Sequence, residues 1–66
     1  MAKDEKEAVR WFEKAARQGN AQAKYNLGVC YEYGQGVPLN REEAFDWYAK
    51  AADLGYGKAR EKLGLR

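Results

Sequence analysis

At 66 residues the chain forms one domain at most, and a fold this small buries only about 60% of the surface its unfolded form exposes. One cysteine, and no histidine, serine or threonine, leave no disulfide framework, no histidine-based metal site and few nucleophiles, so regular helix packing or self-association has to supply stability. The net charge of +2, from 12 basic and 10 acidic side chains that are largely interleaved, sets up no field that would steer the chain to nucleic acid or a membrane.

The first predicted helix spans residues 4–18, because Ala8, Trp11, Phe12, Ala15 and Ala16 recur at three- and four-residue steps along one face. Asp4 and Glu7 have capping-box spacing, which predicts Asp4 as the residue that accepts a bond from an orphan amide. Gly19 then stops the helix, since the position just past a last turn often needs a left-handed backbone. The second helix covers residues 21–33 with Asn20 as its cap, and the short connection makes it antiparallel to the first. Ala23, Leu27, Cys30, Tyr31 and Gly34 fall on one side of it. Gly28 lies off that side, where it can admit another helix at close range. A glycine inside a helix costs about 1 kcal/mol against alanine, so its recurrence as Gly64 points to packing.

Residues 34–39 are the one real loop, with Gly34 and Gly36 to reverse the chain and Pro38 to bar a continuing helix. A third helix follows over residues 41–54. It is capped by Asn40 with Glu43, buries Ala44, Trp47, Tyr48, Ala51 and Ala52, and stops at Gly55. A short fourth helix covers residues 58–65. The expected fold is therefore all-α: about four helices in antiparallel hairpins, stacked as a short α-α superhelix that fills a single domain over residues 1–66.

The chain repeats itself. Residues 1–30 and 37–66 follow one pattern shifted by 36 positions, with ten identities that include Glu7/Glu43, Trp11/Trp47, Lys14/Lys50, Gly28/Gly64 and three alanine pairs at 8/44, 15/51 and 16/52. A period of this size marks stacked arrays in which each unit buries its apolar face on the next. The residues that carry it, among them Leu27-Gly28, Tyr31, Gly34, Gly36-Val37, Ala44, Trp47-Tyr48, Lys50, Ala51-Ala52 and Gly55, resemble the Sel1-like repeat. The likeness covers one full repeat at residues 20–55 and extends into both flanking halves. The tetratricopeptide repeat is a relative with a period of about 34, and the glycine loop and 36-residue spacing favour the Sel1-like form. The resemblance implies a non-catalytic adaptor that holds peptides or proteins on a concave face, with no conserved chemistry and no cofactor.

Helix two carries a second stripe, Gln22, Tyr25, Asn26, Val29 and Tyr33, which is the candidate protein- or peptide-binding site. Its aromatic rings would give contact area at low entropic cost and its amides would pair with a peptide backbone. The competing reading has the same stripe packing against helix four or a second subunit. Trp11 and Trp47, each beside small residues, read as core packing rather than a ligand cage. Arg10, Lys14 and Arg17, and separately Lys58, Lys62 and Arg66, form basic stripes that allow a weak RNA contact, but interleaved acids make it a poor signal. Carboxylates at helix starts are explained by capping and the helix dipole without acid-base work. Cys30 falls inside, where a thiol is inert.

The expectation is thus a scaffold or interaction module, not an enzyme, that forms a dimer end to end or by exchanging a hairpin through the 34–39 loop. A reducing, cytoplasmic setting is the default for one cysteine and no signal or membrane segment. Regular repeats cut in mid-unit suit an excised or engineered fragment as well as a free-standing small protein.

Overall fold

In the structure, a computed structural model, residues 2–65 are described. They form four helices and no strand: α1 (Ala2–Arg17), α2 (Ala21–Tyr33), α3 (Arg41–Asp53) and α4 (Gly57–Lys62). α1 packs on α2, α2 on α3 and α3 on α4, so the hairpins form the short helical stack expected, 36 × 23 × 16 Å in extent.

The helix ends show why the chain turns where it does. Asn20 Oδ1 accepts from the Ala23 amide at 2.9 Å and Asn40 Oδ1 from the Glu43 amide at 3.1 Å, each satisfying a first-turn donor that the helix leaves orphaned. Past α1 and α3, Gly19 and Gly55 take φ of +89° and +87°. The amides that follow them, Asn20 and Tyr56, reach back to the carbonyls of Ala15 and Ala51, both at 3.1 Å. Two ends 36 residues apart are therefore closed by the same bonds. α1 departs from expectation at its start: it already runs from Ala2, so Asp4 sits inside the first turn, where its charge meets the helix dipole, and is not the cap.

Two apolar clusters hold the stack. Val9 and Ala16 of α1 meet Ala23, Leu27 and Cys30 of α2, with Phe12, Ala15, Val37 and Trp47 packed around them. Ala51, Ala52 and Ala59 form the second, flanked by Tyr25, Tyr56 and Leu63. Between the two lies Tyr48, fully buried, as is Leu27; burying side chains of this size is worth about 1.5–3 kcal/mol each. Tyr48 fits because of Gly28. A methyl group at Gly28 would stand 2.4 Å from the Tyr48 ring and 3.0 Å from the Ala44 carbonyl, so α2 and α3 approach closely at that point. α2 is consequently buried on two sides, which explains a glycine lying off its other apolar stripe.

Three expectations need correction. Trp11 is 66% exposed and is not core, because no helix of the described chain covers the outer side of α1. Trp47 is only half-buried, against the first cluster. Gly64 does not repeat the packing role of Gly28: α4 ends at Lys62, Gly64 has φ +77° with nothing near its missing side chain, and it ends a helix as Gly19 does. Val9, buried here, was absent from the expected core.

Candidate protein-contact surface

The side of the molecule built from α2, α3 and α4 is closed by aromatic rings and one ion pair. Tyr25 stacks on Tyr48 and Tyr56, with centroids 5.4 and 5.3 Å apart, and Phe45 meets Tyr48 edge-on at 5.5 Å. The Tyr48 hydroxyl donates to Glu32 Oε1 at 2.6 Å, and Lys62 Nζ reaches the same oxygen at 2.9 Å. Both contacts stabilise the carboxylate, the Tyr48 bond most, and hold Glu32 below its ordinary acidity range; Glu32 in turn raises Lys62. Burial first, then the bond to Glu32, pushes the Tyr48 hydroxyl well above its usual value. These groups tie α2, α3 and α4 together, and their ionisation is coupled to packing rather than aimed at a substrate.

The five residues of the predicted stripe do not share one surface. Tyr25 belongs to the ring cluster just described. Tyr33 is 59% exposed at the end of α2, with Lys62 Nζ 5.9 Å from its ring centroid. Val29 is half-buried. Gln22 and Asn26 face the other way and line a shallow groove between α1 and α2 together with Trp11, Phe12 and Ala15. A second groove on α1 adjoins it through Trp11, lined by Glu7, Arg10 and Lys14. Trp11 was read from the sequence as buried and so was missed as a surface residue.

Lys14 Nζ lies 5.7 Å from the Trp11 centroid and Lys50 Nζ 4.5 Å from that of Trp47, so the lysine-over-tryptophan contact repeats even though the burial does not. The Trp47 indole N–H is buried without a hydrogen-bond partner among the described residues. Of the two basic stripes, Arg10, Lys14 and Arg17 are exposed, Lys62 is bound to Glu32, and Arg66 lies outside the described residues. Burial and the nearby Glu5 charge push the Cys30 thiol up, away from reactive thiolate. Among the described residues no group of three acidic, cysteine or histidine side chains is placed to hold a metal, and no helix is long and apolar enough to cross a membrane.

The Sel1 repeat profile matches residues 1–20 and residues 21–56, the second stretch being one 36-residue period from the start of α2 through α3. The chain belongs to the Sel1 repeat family. A Sel1 repeat protein from Oxalobacter formigenes superposes with a TM-score of 0.87 at 47% identity, over 89% of this chain and 24% of that one. The rat protein named DAP3-binding cell death enhancer 1 is 48% identical over 40 residues, 61% of this chain and 8% of its own length. The yeast Saccharomyces cerevisiae chitin synthase regulator SKT5 is 45% identical over 40 residues, 61% of this chain and 6% of its own. The chain thus spans less than a tenth of the curated relatives it matches.

The Sel1 period also accounts for the two grooves. Lys58 and Lys62 of α4 are the 36-residue mates of Gln22 and Asn26, and Lys62 meets Glu32 of α2. The Gln22 and Asn26 side of α2 is therefore the side on which a Sel1 unit meets its preceding neighbour. Trp11 occupies the same side, since its mate Trp47 lies on the cluster formed by α1 and α2.

Proposed function

We propose that this chain is a non-catalytic helical-repeat scaffold that acts by protein contact and that it self-associates through its α1 end. The observation that carries this reading is the contrast between two identical tryptophans: Trp47 lies against a neighbouring unit, whereas Trp11 stands 66% exposed beside the grooves of α1. A large exposed indole flanked by half-buried Phe12 and Ala15 is the kind of centre around which contact energy concentrates. The amides of Gln22 and Asn26, at the edge of the same groove, supply the polar rim. Tyr25 is engaged in the α3 and α4 packing, which argues against a peptide site centred on Tyr25, Val29 and Tyr33.

The side-chain inventory supports contact over chemistry. There is no serine, threonine or histidine, the one thiol is buried, and the most perturbed carboxylate, Glu32, is bound through one oxygen to two structural partners. The names of the rat and yeast relatives, a binding protein and a regulator, agree with this. An end contact suits the fold better than hairpin exchange. The 34–39 loop is drawn onto α1, where a side chain at Gly36 would meet the Glu5 carbonyl at 2.6 Å, and the Asn40 amide is bonded to the Tyr31 carbonyl at 2.9 Å. The buried free thiol suits a reducing compartment, and a cytoplasmic setting is the one we infer.

Sedimentation analysis from about 10 μM to about 1 mM tests the reading. The weight-average mass should climb above the 7.5 kDa of one chain towards twice that value, and Trp11→Ala should weaken association about tenfold or more. A single 7.5 kDa species across the whole range would overturn it.

A further inference from the structure

We propose that the outer face shared by α1 and α3 is an electrostatic contact surface whose partner is a second copy of the chain, related by a two-fold axis that sets α1 of each copy over α3 of the other. This contact lies apart from the α1 end proposed above and does not depend on it. The observation that carries it is a charge inversion within the repeat. Lys6, Arg10 and Arg17 of α1 have Glu42, Asp46 and Asp53 of α3 as their 36-residue mates, so the same positions are basic in one unit and acidic in the next. Steps of four, seven and eleven residues return to within about 40° on a helix, so each set forms one stripe. The acidic stripe lies on the side of α3 away from its buried Ala44, Tyr48 and Ala51. All six side chains are exposed, and among the described residues none of them is in an ion pair. These positions stay open whichever neighbour a unit has: α1 has the following unit beside it, α3 the preceding one, and neither stripe is covered.

Geometry and charge together select the arrangement. Trp47 of α3 packs on the cluster that contains Val9 and Ala16 of α1, which flank its mate Trp11 in sequence, so the two helices stand side by side at about the same level. Successive antiparallel hairpins make them parallel. A two-fold parallel to both and midway between them therefore brings each stripe residue over its own mate in the other copy: Lys6 over Glu42, Arg10 over Asp46 and Arg17 over Asp53, each twice. A two-fold across the helices would instead set base on base and acid on acid. Glu13, within the basic stripe, comes over Ala49 and meets no like charge there. Lys14 and Lys50, mates of equal sign, are turned onto the Trp11 and Trp47 rings. A contact built from exposed ion pairs is weak and screened by salt, so this one belongs to low ionic strength and high local concentration.

Sedimentation of the Trp11→Ala chain, whose α1-end contact is weakened, tests this face. With salt at about 10 mM, where the Debye length is about 30 Å, the weight-average mass at about 1 mM chain should rise above the 7.5 kDa of one chain. With salt at about 0.15 M, where that length is about 8 Å, it should return to one chain. The net charge of +2 acts the other way, since repulsion between whole chains also fades with salt, so association that falls with salt reports the stripes. Two double variants of equal composition and net charge then test the register. Arg17→Asp with Asp53→Arg exchanges one mate pair and keeps all three complementary, so association should stay within about threefold of the Trp11→Ala parent. Arg17→Asp with Asp46→Arg leaves two of the three mate pairs with like charges and should weaken association about tenfold or more. All three positions are exposed, so circular dichroism should show both variants folded, and the salt dependence of the parent stands without them. A parent that stays one chain at low salt, or two variants that associate alike, overturns the proposal. Neither result touches the α1-end contact, which the wild-type chain reports at the higher salt.

Discussion

The two halves of this chain carry ten identical residues at equal spacing and yet cover the matched positions to different extents. In the α3 half, Ala44, Tyr48 and Ala51 are fully buried, because α2 lies on one side and α4 on the other. In the α1 half their mates Ala8, Phe12 and Ala15 are only half-buried, and Trp11 is out in solvent, because among the described residues no helix lies on the outer side of α1 as α4 lies on α3. Residue identity in a repeat therefore specifies which surface is prepared for a neighbour, and the position in the stack decides whether that surface is filled.

The largest effect that would break or sharpen this contrast is at the matched rings. Tyr48→Ala should cost about 3–5 kcal/mol, the range for emptying a fully buried aromatic site. For so short a chain that approaches the whole stability expected, so the variant should be largely unfolded at 25 °C. Phe12→Ala, at the same place in the pattern but half-buried, should cost less than half as much. Urea unfolding followed by circular dichroism measures both. Equal losses would mean that α1 is covered as completely as α3, contrary to the exposure of Trp11.

A smaller effect is expected at the matched alanines. Ala51 is fully buried at the meeting of α3 and α4, and Ala51→Leu should cost about 1–3 kcal/mol by overpacking. Ala15 borders the open groove, so Ala15→Leu should change stability by no more than about 0.5 kcal/mol, as a substitution with room beside it does. Thermal melts at concentrations low enough to keep the chain monomeric check the pair. A large loss at Ala15 would show that the groove is narrower than the structure has it.

Much of the fold was legible because its signals are local. Asn20 and Asn40 mark helix starts through their own side chains, Gly19 and Gly55 mark helix ends through backbone freedom, and the 36-residue period reveals the stacking without any long-range contact being known. What stayed hidden depends on neighbours. Nothing within α1 distinguishes Trp11 from Trp47, since the difference is the helix that lies beside one and not the other. Gly28 and Gly64 look alike in sequence, yet Gly28 sits under the Tyr48 ring and Gly64 ends a short helix. The candidate stripe on α2 was recognisable as a second face. Its division follows from α3 and the start of α4 covering the Tyr25 side of α2, while the Gln22 and Asn26 side borders the groove that α2 shares with α1. The Tyr48, Glu32 and Lys62 contacts join residues from three helices, so no spacing within one helix announces them.

Those three residues have no counterpart in the α1 half, where Phe12 stands in place of Tyr48 and carries no hydroxyl, so acid should act on the two halves unequally. Glu32 is held below its ordinary value of 4.5 by the Tyr48 hydroxyl and Lys62. A carboxylate whose folded-state acidity is enhanced contributes stability in full above its unfolded value, and that contribution is lost as pH falls through the folded one. The melting temperature should therefore begin to drop as pH is lowered below about 4.5, the ordinary value just cited. Lys62 is raised above 10.5 and Tyr48 above 10.0, so their contributions are present at neutral pH and are lost as pH rises past those ordinary values. Glu32→Gln keeps the side chain's shape but removes the charge that both partners sense. It should lower the neutral-pH melting temperature by a few degrees, about what the loss of one charge-assisted bond does in a domain of this size; it should flatten the acid limb and remove the Lys62 part of the alkaline limb, leaving the part that burial of Tyr48 causes. Phe12→Tyr, which adds a hydroxyl at the matched position of α1, should leave both limbs as they are. If Glu32→Gln leaves the acid limb unchanged, the acid sensitivity arises elsewhere and the α2, α3 and α4 side is not the electrostatically closed one.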